Sequence, residues 1–152
     1  MLKIDQKAPE ILLQDQDDQL FTLSSYQGQK VVVYFYPKDN TPGCTKQAIA
    51  FSEKISEFID LNTLVVGVSK DSIKSHQNFS SKHHLNIKLL SDPDGVACND
   101  YGVWQEKSMY GKTYMGIQRA TFLINEKGDI VKIWPKVKVK DHVDDVLNQI
   151  RS

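Results

Sequence analysis

The sequence feature that most constrains the fold is the apolar segment KVVVYFY at residues 30–36, which ends at Pro37. Apolar side chains occupy both alternation phases of this segment, as they do in a strand covered on both faces of a sheet. A short loop, KDNTPG, follows, and then a helix over residues 44–59 whose apolar residues recur three or four positions apart. A buried strand that leads directly into an amphipathic helix predicts a β/α unit at the centre of the fold.

The alternation of strands and helices continues to the C-terminus and indicates a mixed central sheet flanked by helices. The α/β thioredoxin-like fold with an N-terminal β-hairpin is the simplest match, and the chain length suits a single domain over residues 1–152. The other predicted elements are a hairpin over 11–24, strands at 64–69 and 85–92, a polar helix over 71–84 capped by Ser69 or Asp71, a short helix within 92–104, a glycine-punctuated connection at 110–116, a hairpin formed by 119–125 and 129–135, and a final helix over 141–150.

Composition and charge exclude several classes of function. Nineteen basic residues balance nineteen acidic ones, so no net charge attracts nucleic acid or an anionic membrane. The longest apolar run is far shorter than the ~20 residues that span a bilayer, and the first ten residues lack the apolar core of a secretory signal. We therefore expect a cytoplasmic protein with no nucleic-acid partner and no membrane partner.

The chain contains two cysteines, Cys44 and Cys98, and this low number fits a reducing compartment. Pro42 is expected to open the helix that contains Cys44, because proline is favoured at the first helical position. A sulfur in the first turn of a helix meets free backbone N–H groups and the positive end of the helix dipole, which both favour the thiolate. Cys44 is therefore the candidate nucleophile.

Fast chemistry at a thiolate requires more than ionisation. For a thiol with a pKa of about 8.5, complete ionisation at neutral pH lowers the reaction barrier by only about 2 kcal/mol. Hydrogen-bond donors must therefore also stabilise the leaving group. Thr41 offers a hydroxyl three residues before Cys44, or alternatively caps the helix. Arg119 begins an apolar strand, where a guanidinium needs an anionic or hydrogen-bonded partner, unless its side chain reaches out to solvent.

Residues 31–47, VVVYFYPKDNTPGCTKQ, resemble the active-site segment of the peroxiredoxins, specifically the bacterioferritin comigratory protein (BCP/PrxQ) class. The similarity continues in order through VGVSKDSIKSHQNF, LLSDPDG, YGVW, GIQRATFLI and VKVKDHVDDVLNQI. The resemblance implies that Cys44 is the peroxidatic cysteine and that Pro37 and Thr41 complete the Pro/Thr/Cys signature. It also implies that Arg119 is the active-site arginine.

The resemblance further implies a thiol-dependent peroxidase that acts in antioxidant defence. In this reaction the Cys44 thiolate attacks hydrogen peroxide or an alkyl hydroperoxide and becomes a sulfenic acid. Thioredoxin or a similar thiol donor then regenerates the thiol. The chemistry needs no cofactor and no metal, and the class implies a monomer.

The sequence departs from its family at the resolving cysteine. Many members have this cysteine five residues after the peroxidatic one, where this chain has Ile49, and others have it near the position of Ser80. Cys98 is the remaining candidate resolver; the alternative is that Cys98 is a packed helical residue and the enzyme uses one cysteine. Gln47 stands where relatives often have glutamate, which removes a negative charge near the thiolate.

Three other functions compete with this interpretation. A Cys/His hydrolase would need a histidine base, but the four histidines are predicted to lie on solvated faces. A zinc site formed by His83, His84 and Cys98 is disfavoured because adjacent helical residues point about 100° apart. A non-catalytic thioredoxin-like binding module would require an unreactive Cys44. The four histidines are His76, His83, His84 and His142.

Overall fold

The fold is organised around the apolar strand that begins at Lys30. The computed structural model describes residues 2–152. The strands are β1 (Leu12–Asp15), β2 (Leu20–Thr22), β3 (Lys30–Phe35), β4 (Thr63–Ser69), β5 (Lys88–Ser91), β6 (Trp104–Met109), β7 (Lys112–Ile117), β8 (Ala120–Ile124) and β9 (Ile130–Trp134). Seven of them form a mixed sheet in the order β2-β1-β5-β4-β3-β8-β9, and β6 and β7 form a separate two-stranded sheet.

Within the described residues, four α-helices and one 3-10 helix connect these strands, and a fifth α-helix follows β9. None of the helices within residues 2–152 is both long enough and apolar enough to cross a membrane. The helices are α1 (Pro42–Glu53), α2 (Ile55–Asp60), α3 (Ile73–His83), α4 (Val96–Asp100) and α5 (His142–Arg151), and the 3-10 helix is Leu23–Tyr26.

The strand β3 is covered on both faces, as its sequence predicts. It pairs in parallel with β4 and antiparallel with β8, so neither of its edges is free. Val33 and Phe35 face one core layer, whereas Val32 and Tyr34 face the other. The second layer also contains buried side chains of α1, α2, α3 and α5, and the first contains those of α4. The predicted α/β thioredoxin-like architecture is confirmed, including the N-terminal hairpin formed by β1 and β2.

The predicted helix over residues 44–59 is two helices. Pro42 lies in the first turn of α1, as expected, but α1 ends at Glu53. At Lys54 the chain leaves the α-helical conformation (φ −101°, ψ 9°), and its backbone N–H donates to the carbonyl of Phe51. This bond reaches back three residues rather than the four of an α-helix, so α1 ends here. The next helix, α2, begins at Ile55.

Another correction concerns the cap of α3. The hydroxyl of Ser72 accepts a hydrogen bond from the backbone N–H of Ser75 at 3.1 Å, so Ser72 is the N-cap rather than Ser69 or Asp71. The side chains of Ser69 and Asp71 bond to each other at 2.6 Å.

The predicted connection at 110–116 is also wrong, because these residues form the turn and second strand of the β6–β7 hairpin. Tyr110 and Gly111 form its turn with φ values of 53° and 78°. Positive φ at both central residues is the geometry of a tight hairpin turn. The strands are mostly exposed and polar, so they lack the apolar alternation that identifies a strand in sequence.

We predict that Gly67→Ala destabilises the fold by about 1–3 kcal/mol through overpacking. Gly67 lies beside Tyr34 in the parallel β3–β4 register, and a Cβ atom at Gly67 would lie 2.7 Å from Cζ of the Tyr34 ring. That ring is fully buried and stacks on Phe51 with 4.7 Å between centroids, so it has no room to move. Urea unfolding measures the change in the free energy of unfolding. If Gly67→Ala costs as much in a Tyr34→Leu background as in the wild type, the Tyr34 ring is not the source of the destabilisation.

Candidate active site

Cys44 and Arg119 meet at the end of the central strands. The β3–β8 register pairs Phe35 with Ala120, so Arg119, one residue before β8, lies next to the point where the chain leaves β3. Cys44 lies near the same point, in the first turn of α1. The Nη2 atom of Arg119 donates to Sγ of Cys44 at 3.3 Å, and Cys44 is only 1% exposed. The structure therefore brings these two predicted site residues into contact.

The guanidinium of Arg119 is held at both of its ends. Its Nη1 atom donates to Oε1 of Gln47 at 2.6 Å, and Gln47 is fully buried one helical turn after Cys44. Gly43 leaves room for the guanidinium, since a Cβ atom there would lie 3.3 Å from Nη2. The contact between Gln47 and Arg119 is absent from the sequence-based interpretation, although a spacing of three residues from Cys44 on a helix could have indicated it.

Cationic side chains and helix N–H groups surround the Cys44 sulfur. Arg119 supplies a permanent positive charge, and the first turn of the 12-residue helix α1 supplies unpaired N–H groups. Lys107 of β6 adds a further cation near the site: burial, followed by the charge of Arg119, lowers the pKa of Lys107, and the charge of Cys44 opposes that shift. Its ammonium donates to the carbonyl of Ile117 at 3.0 Å. Sequence patterns gave no signal for Lys107, which lies in the missed hairpin.

Pro37 and Thr41 lie at the two ends of the loop that links β3 to α1. Pro37 directly follows Tyr36 and is half-buried, and Thr41 occupies the N-cap position of α1. The Thr41 hydroxyl does not cap a helix N–H; it donates to the carbonyl of Lys38 at 2.9 Å. Because its proton is used in this bond, its lone pairs remain available as acceptors.

The prediction that all four histidines lie on solvated faces is wrong for two of them. His76 is completely buried, and His142 is 5% exposed. The Nε2 atom of His142 lies 2.9 Å from the Thr121 hydroxyl, and its ring packs edge-on against Trp134. Among the described residues, the hydrogen-bond partner of the Cys44 sulfur is a guanidinium and not an imidazole. A guanidinium stays protonated and cannot act as the base that a Cys/His hydrolase needs.

Cys98 lies in the core layer on the opposite side of the sheet from Cys44. Cys44 packs with Val32 and Tyr34, whereas Cys98 packs with Val33 and Phe35. Burial, followed by the neighbouring carboxylate of Asp92, raises the pKa of the Cys98 thiol strongly. The central sheet therefore separates the two sulfurs, and the surroundings of Cys98 disfavour the thiolate.

Comparisons with known proteins identify the class to which this fold and site belong. The profile of the AhpC/TSA family matches residues 4–133. Peroxiredoxin Bcp of Bacillus subtilis is 43% identical over 151 residues, which cover 99% of this chain and 96% of the relative. Peroxiredoxin Bcp of Escherichia coli K12 is also 43% identical over 151 residues, covering 99% of this chain and 97% of the relative.

Solved structures agree with the sequence relatives. A cysteine-to-serine variant of Xylella fastidiosa PrxQ superimposes with a TM-score of 0.94 at 38% identity, covering 99% of this chain and 96% of that one. The Xanthomonas campestris bacterioferritin comigratory protein, described with alkyl peroxide reduction activity, gives 0.89 at 42% identity, covering 93% and 90%. The chain therefore belongs to the AhpC/TSA family and, within it, to the Bcp/PrxQ peroxiredoxins, thiol-dependent peroxidases that use a hydroperoxide and a thiol reductant.

We predict that His142 makes the stability of the fold fall as the pH is lowered below about 6.5. Burial lowers the pKa of His142 to about 4; the charge of Asp145 opposes this effect and that of Arg119 adds to it. Between about pH 6.5, the ordinary histidine value, and pH 4, the unfolded chain binds a proton that the folded chain does not. The loss amounts to at most about 3 kcal/mol.

Urea unfolding of the wild type and His142→Gln across this pH range measures the loss. Glutamine can still bond to Thr121 but does not titrate, so the wild type should lose more stability at low pH than the variant. Parallel stability curves for the two proteins would contradict the assignment.

Proposed function

We propose that this chain reduces hydrogen peroxide and alkyl hydroperoxides with Cys44 as the peroxidatic cysteine. The observation that carries the proposal is the 3.3 Å contact between Nη2 of Arg119 and the buried Cys44 sulfur in the first turn of α1. The alkyl peroxide reduction described for the Xanthomonas campestris relative supports the inclusion of alkyl hydroperoxides. This peroxide removal acts in antioxidant defence in the cytoplasm.

In the proposed reaction the Cys44 thiolate attacks the terminal oxygen of the hydroperoxide. A sulfur–oxygen bond forms as the oxygen–oxygen bond breaks; the sulfur is oxidised to a sulfenic acid, and the leaving oxygen takes up a proton as water or alcohol. Arg119 stabilises the charge that moves onto the leaving oxygen. The electron pair comes from the thiolate itself, so the transfer requires no metal and no cofactor.

Thr41 and Pro37 have supporting roles in this proposal. The Thr41 hydroxyl donates to the Lys38 carbonyl, so its free lone pairs can accept the O–H of the hydroperoxide and orient the peroxide for attack. Pro37 restricts the backbone at the start of the loop, because its ring fixes φ and it has no N–H to donate. Both residues therefore reduce the number of arrangements available to the reacting atoms.

Regeneration requires the oxidised sulfur to become accessible. Thioredoxin or a similar thiol donor is the proposed reductant, and the protein acts as a monomer. At 1% exposure in the folded helix, Cys44 is not reachable by the sulfur of a protein-sized donor. The first turn of α1 must therefore open before a mixed disulfide can form.

We propose further that this peroxiredoxin uses one cysteine. Two observations support this: Cys98 lies in the core layer across the sheet from Cys44, and its surroundings raise its pKa. A disulfide needs Cα atoms within ~7 Å of each other, so a bridge would require rearrangement of both layers. The external thiol therefore attacks the Cys44 sulfenic acid directly: a mixed disulfide forms as the sulfenic oxygen leaves as water, and a second thiol then displaces Cys44 from that disulfide.

We predict that Cys44→Ser abolishes the rapid change in tryptophan fluorescence that peroxide causes in a stopped-flow experiment. Arg119→Ala should slow that phase by more than ~30-fold, because ionisation of the thiol alone accounts for no more than that factor. Arg151→Ala is the matched control, since Arg151 lies on the surface and bonds to Glu57. Equal rates for Arg119→Ala and Arg151→Ala would contradict the role of Arg119, and a wild type with no rapid phase would favour a non-catalytic binding module.

We predict that one equivalent of peroxide adds one oxygen atom to the intact chain. A sulfenic-acid trap such as dimedone should then react with the sulfenic acid on Cys44. Mass spectrometry of the whole chain distinguishes this product from an internal disulfide, which has lost two hydrogens. Cys98→Ser should leave both the oxidation rate and turnover with dithiothreitol within about 2-fold of the wild type. Loss of two hydrogens within a single chain would show that Cys98 resolves.

A further inference from the structure

We propose that Asp39 and His76 form a buried positioning pair that holds the loop over residues 37–41 in the shape required for the peroxidase reaction. The inference rests on the proposed function, because it takes Cys44 as the reacting residue. Asp39 belongs to the loop, and His76 belongs to α3. The pair therefore fixes the loop to a helix that contributes no residue to the reaction itself.

Asp39 is the one buried residue of the loop over residues 37–41. It is 4% exposed, whereas Lys38 and Asn40 on either side are exposed. A charge is buried in this way only when its bonding capacity is filled. Its Oδ1 atom accepts from the Tyr36 hydroxyl at 2.6 Å, and its Oδ2 atom accepts from the Ser75 hydroxyl at 2.8 Å. Nδ1 of His76 lies 2.7 Å from the same Oδ2 atom.

The hydrogen bonds of His76 define how the pair shares its protons. The Nε2 atom of His76 lies 3.0 Å from the carbonyl oxygen of Leu90, which can only accept, so Nε2 carries a proton. One further proton must lie between Nδ1 and Oδ2 of Asp39, because two lone pairs facing each other at 2.7 Å would repel. The pair is therefore neutral as a unit, and its second proton is fixed between the loop and α3.

The backbone of the loop is anchored at the same point. The N–H of Asp39 donates to Oδ2 of Asp71 at 2.9 Å, and the Ser69 hydroxyl at the end of β4 donates to the same oxygen at 2.6 Å. Asn40 then adopts a left-handed conformation with φ of 65°, which turns the chain towards α1. The loop is thus tied to β4 and α3 just before it turns towards Thr41.

This arrangement is a hydrogen-bonded cluster rather than a metal site. The ligand atoms of Asp39, Asp71 and His76 lie within 4.8 Å of one another. The Oδ2 atoms of both aspartates and the Nδ1 atom of His76 already have protein partners: Asp39 and His76 bond to each other, and Oδ2 of Asp71 accepts from Ser69 and from the Asp39 backbone. A cation would have to replace these bonds.

The pair affects the reaction through the backbone. Asp39 precedes Thr41 by two residues and Cys44 by five, and the hydrogen bonds of the pair do not include Arg119 or the Cys44 sulfur. Displacing a reacting group by about 1 Å can cost about 100-fold in rate. A released loop would displace Thr41 and the first turn of α1 relative to Arg119, which is fixed independently by Gln47.

The test compares the second-order rate of Cys44 oxidation by hydrogen peroxide among matched variants. We expect Asp39→Ala and His76→Ala to lose at least about 10-fold in this rate. Asp39→Asn should recover most of it, because an amide can accept from Tyr36 and donate to a neutral His76. Asp15→Asn is the control: Asp15 is also buried and bonded, to backbone N–H groups of its own turn and to Lys88, but it does not contact the loop.

A second readout separates loop release from general destabilisation. Alkylation of Cys44 by iodoacetamide should become faster in Asp39→Ala, because release of the loop exposes the sulfur, while peroxide oxidation becomes slower. Asp15→Asn should keep the wild-type oxidation rate even if its melting temperature falls as much as that of Asp39→Ala. If the alanine variants do not fold, Tyr36→Phe removes a single hydroxyl from the cluster, and we expect it to lower the oxidation rate by about 3-fold or more.

Two results would overturn the positioning role. One is a folded Asp39→Ala protein, or a folded Tyr36→Phe protein if Asp39→Ala does not fold, that oxidises at the wild-type rate. The other is an equal rate loss in Asp15→Asn and Asp39→Ala at equal melting temperature. Cys44→Ser, measured in parallel, distinguishes failure of this inference from failure of the proposed function. A rapid peroxide phase that persists in Cys44→Ser would reject the proposed function. If Cys44→Ser loses that phase but Asp39→Ala keeps the wild-type rate, only the positioning role of the pair is rejected.

Discussion

The antiparallel register between β3 and β8 is the constraint on which the site depends. Because Phe35 pairs with Ala120, a residue just before β8 lies beside the loop that follows β3, although more than seventy residues of chain separate Cys44 from Arg119. A shift by one residue would turn every side chain of β8 to the opposite face. It would therefore direct the guanidinium away from the sulfur.

The charge balance of the site follows from the neutral partner of Arg119. Gln47 orients the guanidinium through Nη1 but carries no charge, so the positive charge remains available to the sulfur bonded at Nη2. A glutamate there would hold the guanidinium equally well and partly neutralise it. Gly43 has the complementary steric role, because it leaves space for the guanidinium next to the nucleophile.

Much of the fold was predictable from local patterns, and the errors have physical reasons. The strands β3, β4 and β8 are apolar on both faces, so their burial is visible in the sequence. The hairpin β6–β7 has mostly exposed side chains, so no apolar period marks it. The prediction that the histidines are exposed was wrong for a different reason. His76 and His142 can be buried because Asp39 and Thr121, which are distant in the sequence, bond to their rings, whereas polarity alone suggested exposure.

The sequence by itself determined the apolar strands and the amphipathic helices, although not the polar β6–β7 hairpin, and it placed Cys44 in the first turn of a helix. Alternation, helical spacing and the position of Pro42 are local properties. The tertiary structure decided which distant groups meet that sulfur: it brought Arg119 and Gln47 to Cys44 and left Cys98 in the core layer on the other side of the sheet. Contacts of this kind depend on strand order and register. These in turn result from the packing of the whole core, which no short segment encodes.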